Sequence, residues 1–99
     1  MIRSFADRAT EDIFNGKSSA AARRALPGQL TRIALRKLEQ IDSTERLDDL
    51  RIPPGNRLET LRGKRKGQYS VRVNDQYRIC FAWGESGPEE VEIVDYHRG

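Results

Sequence analysis

Two stretches of this 99-residue chain hold side chains suited to phosphate chemistry: the run from Arg57 to Arg78, and the pair Tyr96-His97. The first contains seven basic residues (Arg57, Arg62, Lys64, Arg65, Lys66, Arg72, Arg78) and two acids (Glu59, Asp75), a net +5 in a chain whose total is only +3. The rest of the chain is therefore slightly acidic. Such focusing is the footprint of a phosphate-rich partner, although a solvated basic loop has the same composition.

Cleaving an RNA phosphodiester needs a deprotonated 2′-oxygen, stabilisation of the phosphorane charge, and a proton for the departing 5′-oxygen. Arginine supplies the second through its fixed fork of donors, but it stays protonated and cannot supply the first. That role falls to Glu59, His97, Tyr96 or a lysine of depressed pKa. A histidine so close to the end of a chain is more often a frayed tail than a catalyst, and Tyr96 can serve packing as well as base stacking.

Composition closes other routes. The single cysteine, Cys80, leaves no internal disulfide and fits a reducing, cytoplasmic compartment. His97 is the sole histidine, which argues against a zinc or iron site, and no cofactor is expected. The opening residues lack the apolar core of a signal peptide, and no stretch approaches a membrane span. Ninety-nine residues suit one domain, here 1–99, with one sheet and a few helices.

The positioning elements follow from periodicity. Ile2 to Phe5 is a candidate first strand. Asp7 can cap a helix to about Asn15, with Ala9, Ile13 and Phe14 inward and Gly16 as its stop. Ser18 or Ser19 can cap a second helix through Ala20–Ala25. Pro27 suits the first turn of a third, in which Leu30, Ile33/Ala34, Leu38 and Ile41 form an apolar stripe. Ser43 to Leu50 reads as one helical turn, and Ile52-Pro53-Pro54-Gly55-Asn56 as a break. The period then changes to two. Arg57–Leu61 predicts a strand, Gly63–Gly67 a basic turn, Tyr69–Val73 and Tyr77–Trp83 a hairpin, Gly84–Pro88 a loop, and Val91–Tyr96 a last strand. The result is an α+β fold with helices on one face of an antiparallel sheet.

Register can be deduced for the central hairpin. With a two-residue loop, Val71 faces Arg78 and apolar meets basic. With Asn74-Asp75-Gln76 as the loop, the pairs are Val73/Tyr77, Arg72/Arg78, Val71/Ile79, Ser70/Cys80 and Tyr69/Phe81, and both strands agree on which face is apolar. Such a loop calls for a left-handed residue, which Asn and Asp tolerate. Arg72 then lies opposite Arg78, a like-charge pair that costs up to roughly 1 kcal/mol. A bound anion would relieve it, and so would acids such as Glu92 or Asp95.

Met1-Ile2-Arg3-Ser4-Phe5, the stretch from Leu61-Arg62-Gly63 through Tyr69-Ser70-Val71-Arg72-Val73 to Tyr77-Arg78-Ile79-Cys80-Phe81, and the closing Val94-Asp95-Tyr96-His97 resemble HigB toxins of the RelE/ParE superfamily. The resemblance implies a RelE-like fold, with an N-terminal strand and helices packed on one face of a mainly antiparallel, twisted four- to five-stranded sheet. It implies a type II toxin that cleaves mRNA in the ribosomal decoding site. A helix-turn-helix HigA-like antitoxin would neutralise it and would be its only link to operator DNA. By motif, Arg62, Arg78, Tyr96 and His97 carry the site. Arg78 and Arg62 would bind the scissile phosphate, while Arg57, Lys64, Arg65, Lys66 and Arg72 hold RNA backbone. His97 would be the acid or base with Glu59 as a candidate partner, and Tyr96 would stack on a base. Where some relatives have His-Pro-Leu-Lys, this chain has Glu59-Thr60-Leu61-Arg62, which leaves His97 as its one imidazole. ParE-type relatives share the fold and inhibit DNA gyrase without catalysis, so fold alone does not choose between these activities. A simple RNA-binding module is the third reading.

Overall fold

The computed structural model describes residues 1–96. Asp7 is extended and its carboxylate accepts the Thr10 amide at 2.8 Å, opening α1 (Arg8–Phe14); Gly16, at φ +77°, turns the chain away after it. Ser19 caps α2 (Ala20–Ala25) by accepting from the Ala22 amide, and its hydroxyl donates to Asp12 at 2.6 Å, tying α2 to α1. Pro27 precedes a single 3₁₀ turn, Gly28–Leu30, so that α3 (Thr31–Ser43) begins four residues beyond the proline rather than on it. Ala34, Leu38 and Ile41 of α3 are wholly buried, as the stripe requires.

The sheet is antiparallel throughout, in the order β1 (Glu59–Thr60), β2 (Gln68–Arg72), β3 (Tyr77–Gly84), β4 (Gly87–Asp95). Val71, Ile79, Phe81, Val91 and Ile93 form the core with Leu26 and the α3 stripe, so the helices lie on that face. The opposite face presents Ser70, Arg72, Arg78 and Cys80. The β2–β3 pairing is Arg72 with Arg78, Val71 with Ile79, Ser70 with Cys80 and Tyr69 with Phe81, the register deduced from the pattern.

The hairpin tip closes differently from expectation. No residue of Asn74-Asp75-Gln76 has a positive φ. Instead the Asn74 carboxamide accepts the amides of Gln76 (2.9 Å) and Tyr77 (2.8 Å), a side-chain substitute for the left-handed turn.

Three further boundaries are corrected. Ile2–Phe5 makes one parallel bridge, Phe5 to Val91, not a full strand. Pro88 has no amide to pair, and the Glu90 amide is taken by the Ser4 hydroxyl at 2.8 Å. Glu90 also has φ +53°, beside a bulge where pairing steps from Cys80/Glu92 to Ala82/Glu89. Gly84–Pro88 is not a loop, because Trp83 pairs with Pro88 and Gly84 with Gly87, leaving only Glu85-Ser86 as the turn. Finally, Arg57 lies outside β1. It follows a 3₁₀ turn, Pro54–Asn56, in a left-handed conformation at φ +47°.

Candidate active site

On the helix-free face, an open concavity of about 430 Å³ is lined by Arg57, Glu59, Arg72, Asn74, Asp75, Arg78 and Tyr96. Pairing explains the convergence. Glu59 lies opposite Ser70, Ser70 opposite Cys80, and Arg72 opposite Arg78, so residues from three strands share one face. A larger hollow of about 510 Å³ among the helices is lined by apolar groups such as Ile13, Leu26 and Leu35. Among the described residues its charged neighbours are Lys17 and Arg23, so the basic concavity is the one equipped for chemistry.

Arg78 is the most firmly held group in it. Its side chain is 11% exposed. Nε donates to the Ser70 hydroxyl at 2.7 Å, and one terminal nitrogen donates to the Arg57 carbonyl at 2.6 Å and the Ser70 carbonyl at 3.4 Å. Glu59, more than half exposed, stands 3.6 Å away. The guanidinium is therefore oriented mainly by neutral acceptors and keeps most of its charge available to a ligand. Ser70, fully buried, is a positioning group that sequence reasoning passed over. Its place opposite Cys80, on the Arg72–Arg78 face, was already implied by the register.

Arg72 meets Asp75 at 2.5 Å, and Asp75 is almost fully exposed. The two arginines thus face Asp75 and Glu59, while Glu92, one of the acids suggested by the sequence, is engaged elsewhere. Glu92 pairs with Arg65, and Asp95 accepts from Gln76. The Arg72 guanidinium holds the Asp75 carboxyl below the usual carboxylate range, so this pair is fully ionised near neutrality. An ion pair so open to water contributes little to folding, and a phosphate can displace it. Asp75→Asn is expected to tighten RNA binding, because Arg72 no longer gives up a carboxylate to reach a phosphate, and to steepen the slope of log K against log salt by about 0.7, one more counterion released net. Filter binding across a salt series measures this, and unchanged slope and affinity would remove Arg72 from the RNA-contacting set.

The other sequence candidates divide. Arg62, Lys64 and Lys66 are exposed around the Gly63–Arg65 turn and do not line the concavity. Arg65 folds back over the sheet to Gln68 (3.0 Å) and Glu92 (3.2 Å), a paired structural role rather than a free cation. His97 lies outside the described residues. Tyr96 reaches inward, its hydroxyl 3.8 Å from the buried Cys80 thiol, and its amide donates to the Gln76 carbonyl. Burial, then Cys80, pushes the Tyr96 phenol up, and burial pushes the thiol up as well. Both stay protonated near neutrality, so Tyr96 is suited to donating or stacking and not to taking a proton. Lys37 of α3 is the lysine lowered by burial and by Arg36 and Arg72. Its ammonium is nevertheless bound to the Asn56 carboxamide and does not line the concavity. Among the described residues no cluster of His, Cys, Asp or Glu could hold a metal, and no helix is long and apolar enough to cross a membrane.

This fold is shared with a chain of the YoeB–YefM complex from Staphylococcus aureus, at a TM-score of 0.59 and 15% identity over 98% of both chains. Sequence similarity is closer elsewhere. Toxin HigB-1 of Vibrio cholerae is 50% identical over 60 residues, covering 61% of this chain and 63% of that protein. An uncharacterised Haemophilus influenzae protein is 43% identical over 58 residues, 59% of this chain and 57% of the relative. The matches thus span less than two thirds of either curated relative. A RelE-like α+β toxin fold with a basic concavity on its open face defines the class. The chain belongs to the HigB-like family, RelE-like toxins of type II toxin–antitoxin systems, whose family description matches residues 3–97.

Proposed function

We propose that the protein, acting as one domain over residues 1–99, is a ribosome-dependent mRNA endoribonuclease neutralised by a HigA-like antitoxin. The carrying observation is the Arg78 guanidinium, fixed by Ser70 and the Arg57 carbonyl on the floor of a concavity that also holds Arg72 and Arg57. Preorganised donors of this kind favour the charge that develops on a phosphorane.

In the reaction, the 2′-hydroxyl attacks the adjacent phosphorus, the bond from phosphorus to the 5′-oxygen breaks, and a 2′,3′-cyclic phosphate and a 5′-hydroxyl result. Arg78 carries the charge of the phosphorane, and Arg72 and Arg57 hold neighbouring phosphates. Arg62, Lys64 and Lys66 extend the basic surface along RNA beyond the concavity. His97 is the acid or base at the leaving or the attacking oxygen, with Glu59 as its candidate partner for the 2′-proton. Tyr96 offers its ring to a base. The ribosome presents the mRNA strand, and the antitoxin is the toxin's route to operator DNA. The setting is the cytoplasm.

The test is to express the protein, map mRNA 5′ ends with a chemistry selective for 5′-hydroxyls, and assay gyrase-dependent DNA breaks in parallel. Cleavage confined to translated messages is expected. Intact mRNA with gyrase-dependent breaks would replace this reading by a gyrase inhibitor. Harmless expression with neither signal would leave a simple RNA-binding module.

A further inference from the structure

Asn56 is wholly buried in a turn otherwise exposed to solvent, and every polar atom of its side chain is used. Its Nδ2 donates to Gln40 Oε1 (2.9 Å), to the Leu50 carbonyl (3.0 Å) and, more weakly, to the Ile52 carbonyl (3.4 Å). Its Oδ1 accepts from Lys37 Nζ. Two of these partners, Lys37 and Gln40, stand one turn apart on the α3 surface, while Gln40 also donates to the Ile52 carbonyl at 2.7 Å. The side chain therefore pins the Pro54–Asn56 turn to a rigid helix.

The next residue converts that anchor into site geometry. Arg57 is left-handed, a conformation that a side chain disfavours and that must be imposed from outside. In that conformation its amide bonds the Pro54 carbonyl at 3.0 Å, and its own carbonyl receives the Arg78 guanidinium at 2.6 Å. An extended Arg57, as strand patterning alone would dictate, would turn that carbonyl elsewhere. A continuous series of bonds thus runs from α3 through Asn56 and the Arg57 backbone to Arg78. It links a helix on one face of the sheet to a side chain on the other.

We propose that Asn56, anchored by Lys37 and Gln40, is a positioning residue that sets the Arg57 backbone and so fixes the orientation of the Arg78 guanidinium. The catalytic part of this rests on the nuclease reading above, but the structural part does not.

The test uses purified full-length Asn56→Ala and Lys37→Met beside wild type and Arg78→Ala. In the free protein, water exchange of the Arg78 Nε–H is followed by NMR. On programmed ribosomes, the single-turnover cleavage rate at saturation is separated from the half-saturating concentration. Asn56→Ala is expected to speed Arg78 Nε–H exchange and to lower the saturated rate by about 10–100-fold, the scale of a small misplacement of a catalytic group, with little change in half-saturation. Lys37→Met should shift both in the same direction by less. In an Arg78→Ala background, Asn56→Ala should cost no further rate, because both act through one group.

A turn-stabilising role without positioning would lower thermal stability yet leave the Nε–H exchange and the saturated rate as in wild type. That outcome overturns the proposal. If Asn56→Ala does not fold, Lys37→Met carries the test with the same two readouts. If Arg78→Ala cleaves like wild type, the nuclease reading fails, and the NMR measurement alone still decides whether Asn56 positions Arg78.

Discussion

Replacing Arg78 by alanine is expected to lower single-turnover mRNA cleavage by about 10²–10³-fold, the loss seen when one preorganised charge-stabilising donor is removed. The chain should remain folded. Truncation leaves the Ser70 hydroxyl and the Arg57 carbonyl without their donor, a cost of about 1–3 kcal/mol if water does not replace it. Arg78 itself lines the open concavity, so water can enter the space its side chain leaves and the cost falls at the lower end. Arg78→Lys is the sharper probe. It restores the charge, but an ammonium has no planar fork to bond Ser70, the Arg57 carbonyl and a phosphate oxygen together. Most of the deficit should therefore persist. Cleavage assays on programmed ribosomes, with thermal melts of the same preparations, measure both quantities. Wild-type cleavage by Arg78→Ala would remove this residue from the mechanism.

Phe81→Ala should fail for the opposite reason, by loss of the fold. Phe81 is fully buried at the centre of β3, with its ring 6.2 Å from Tyr69 and 6.4 Å from Trp83. Removing a buried phenyl ring costs about 3–5 kcal/mol. A domain of this size has only roughly 5–15 kcal/mol in total, so the variant should sit near the edge of folding. Urea denaturation should show a lower midpoint at an unchanged slope. A change under about 1 kcal/mol would mean that the ring is not the keystone its burial implies. The two substitutions lie three residues apart on one strand and point to opposite faces, yet one should silence the site and the other dissolve it.

The hairpin was legible because its pattern is overdetermined. Val71, Ile79, Tyr69 and Phe81 must share a face, and one residue of slip would expose them all. That constraint sets Arg72 against Arg78, whereas the pairing of Glu59 with Ser70 appears only in the folded sheet. Arg57 was not legible. Its left-handed backbone follows Asn56, whose side-chain partners Gln40 and Lys37 stand 16 and 19 positions before Asn56, and no local pattern encodes that. Asp75 reads as an ordinary turn former, and only the folded hairpin shows it facing Arg72. Ser70 looks like filler between an aromatic and a valine. Its importance comes from its small size and its hydroxyl, which leave room for the Arg78 guanidinium and give it an acceptor. Arg62, Lys64 and Lys66 followed from motif and charge, and neither fixes how a glycine-bounded turn will aim its side chains.

The bridge from Phe5 to Val91 has a consequence in time. The segment at the start of the chain finds its sheet partner only in β4, which is also the strand that pairs with the arginine-bearing β3 and leads into Tyr96. Contacts so distant along the chain form late and slowly. During synthesis at about 5–20 residues per second, the opening segment must wait for the closing one. A nascent chain therefore carries the arginines of the hairpin for some seconds before the sheet that orders them is complete. The arginine-bearing face is thus completed only after β4 has been made.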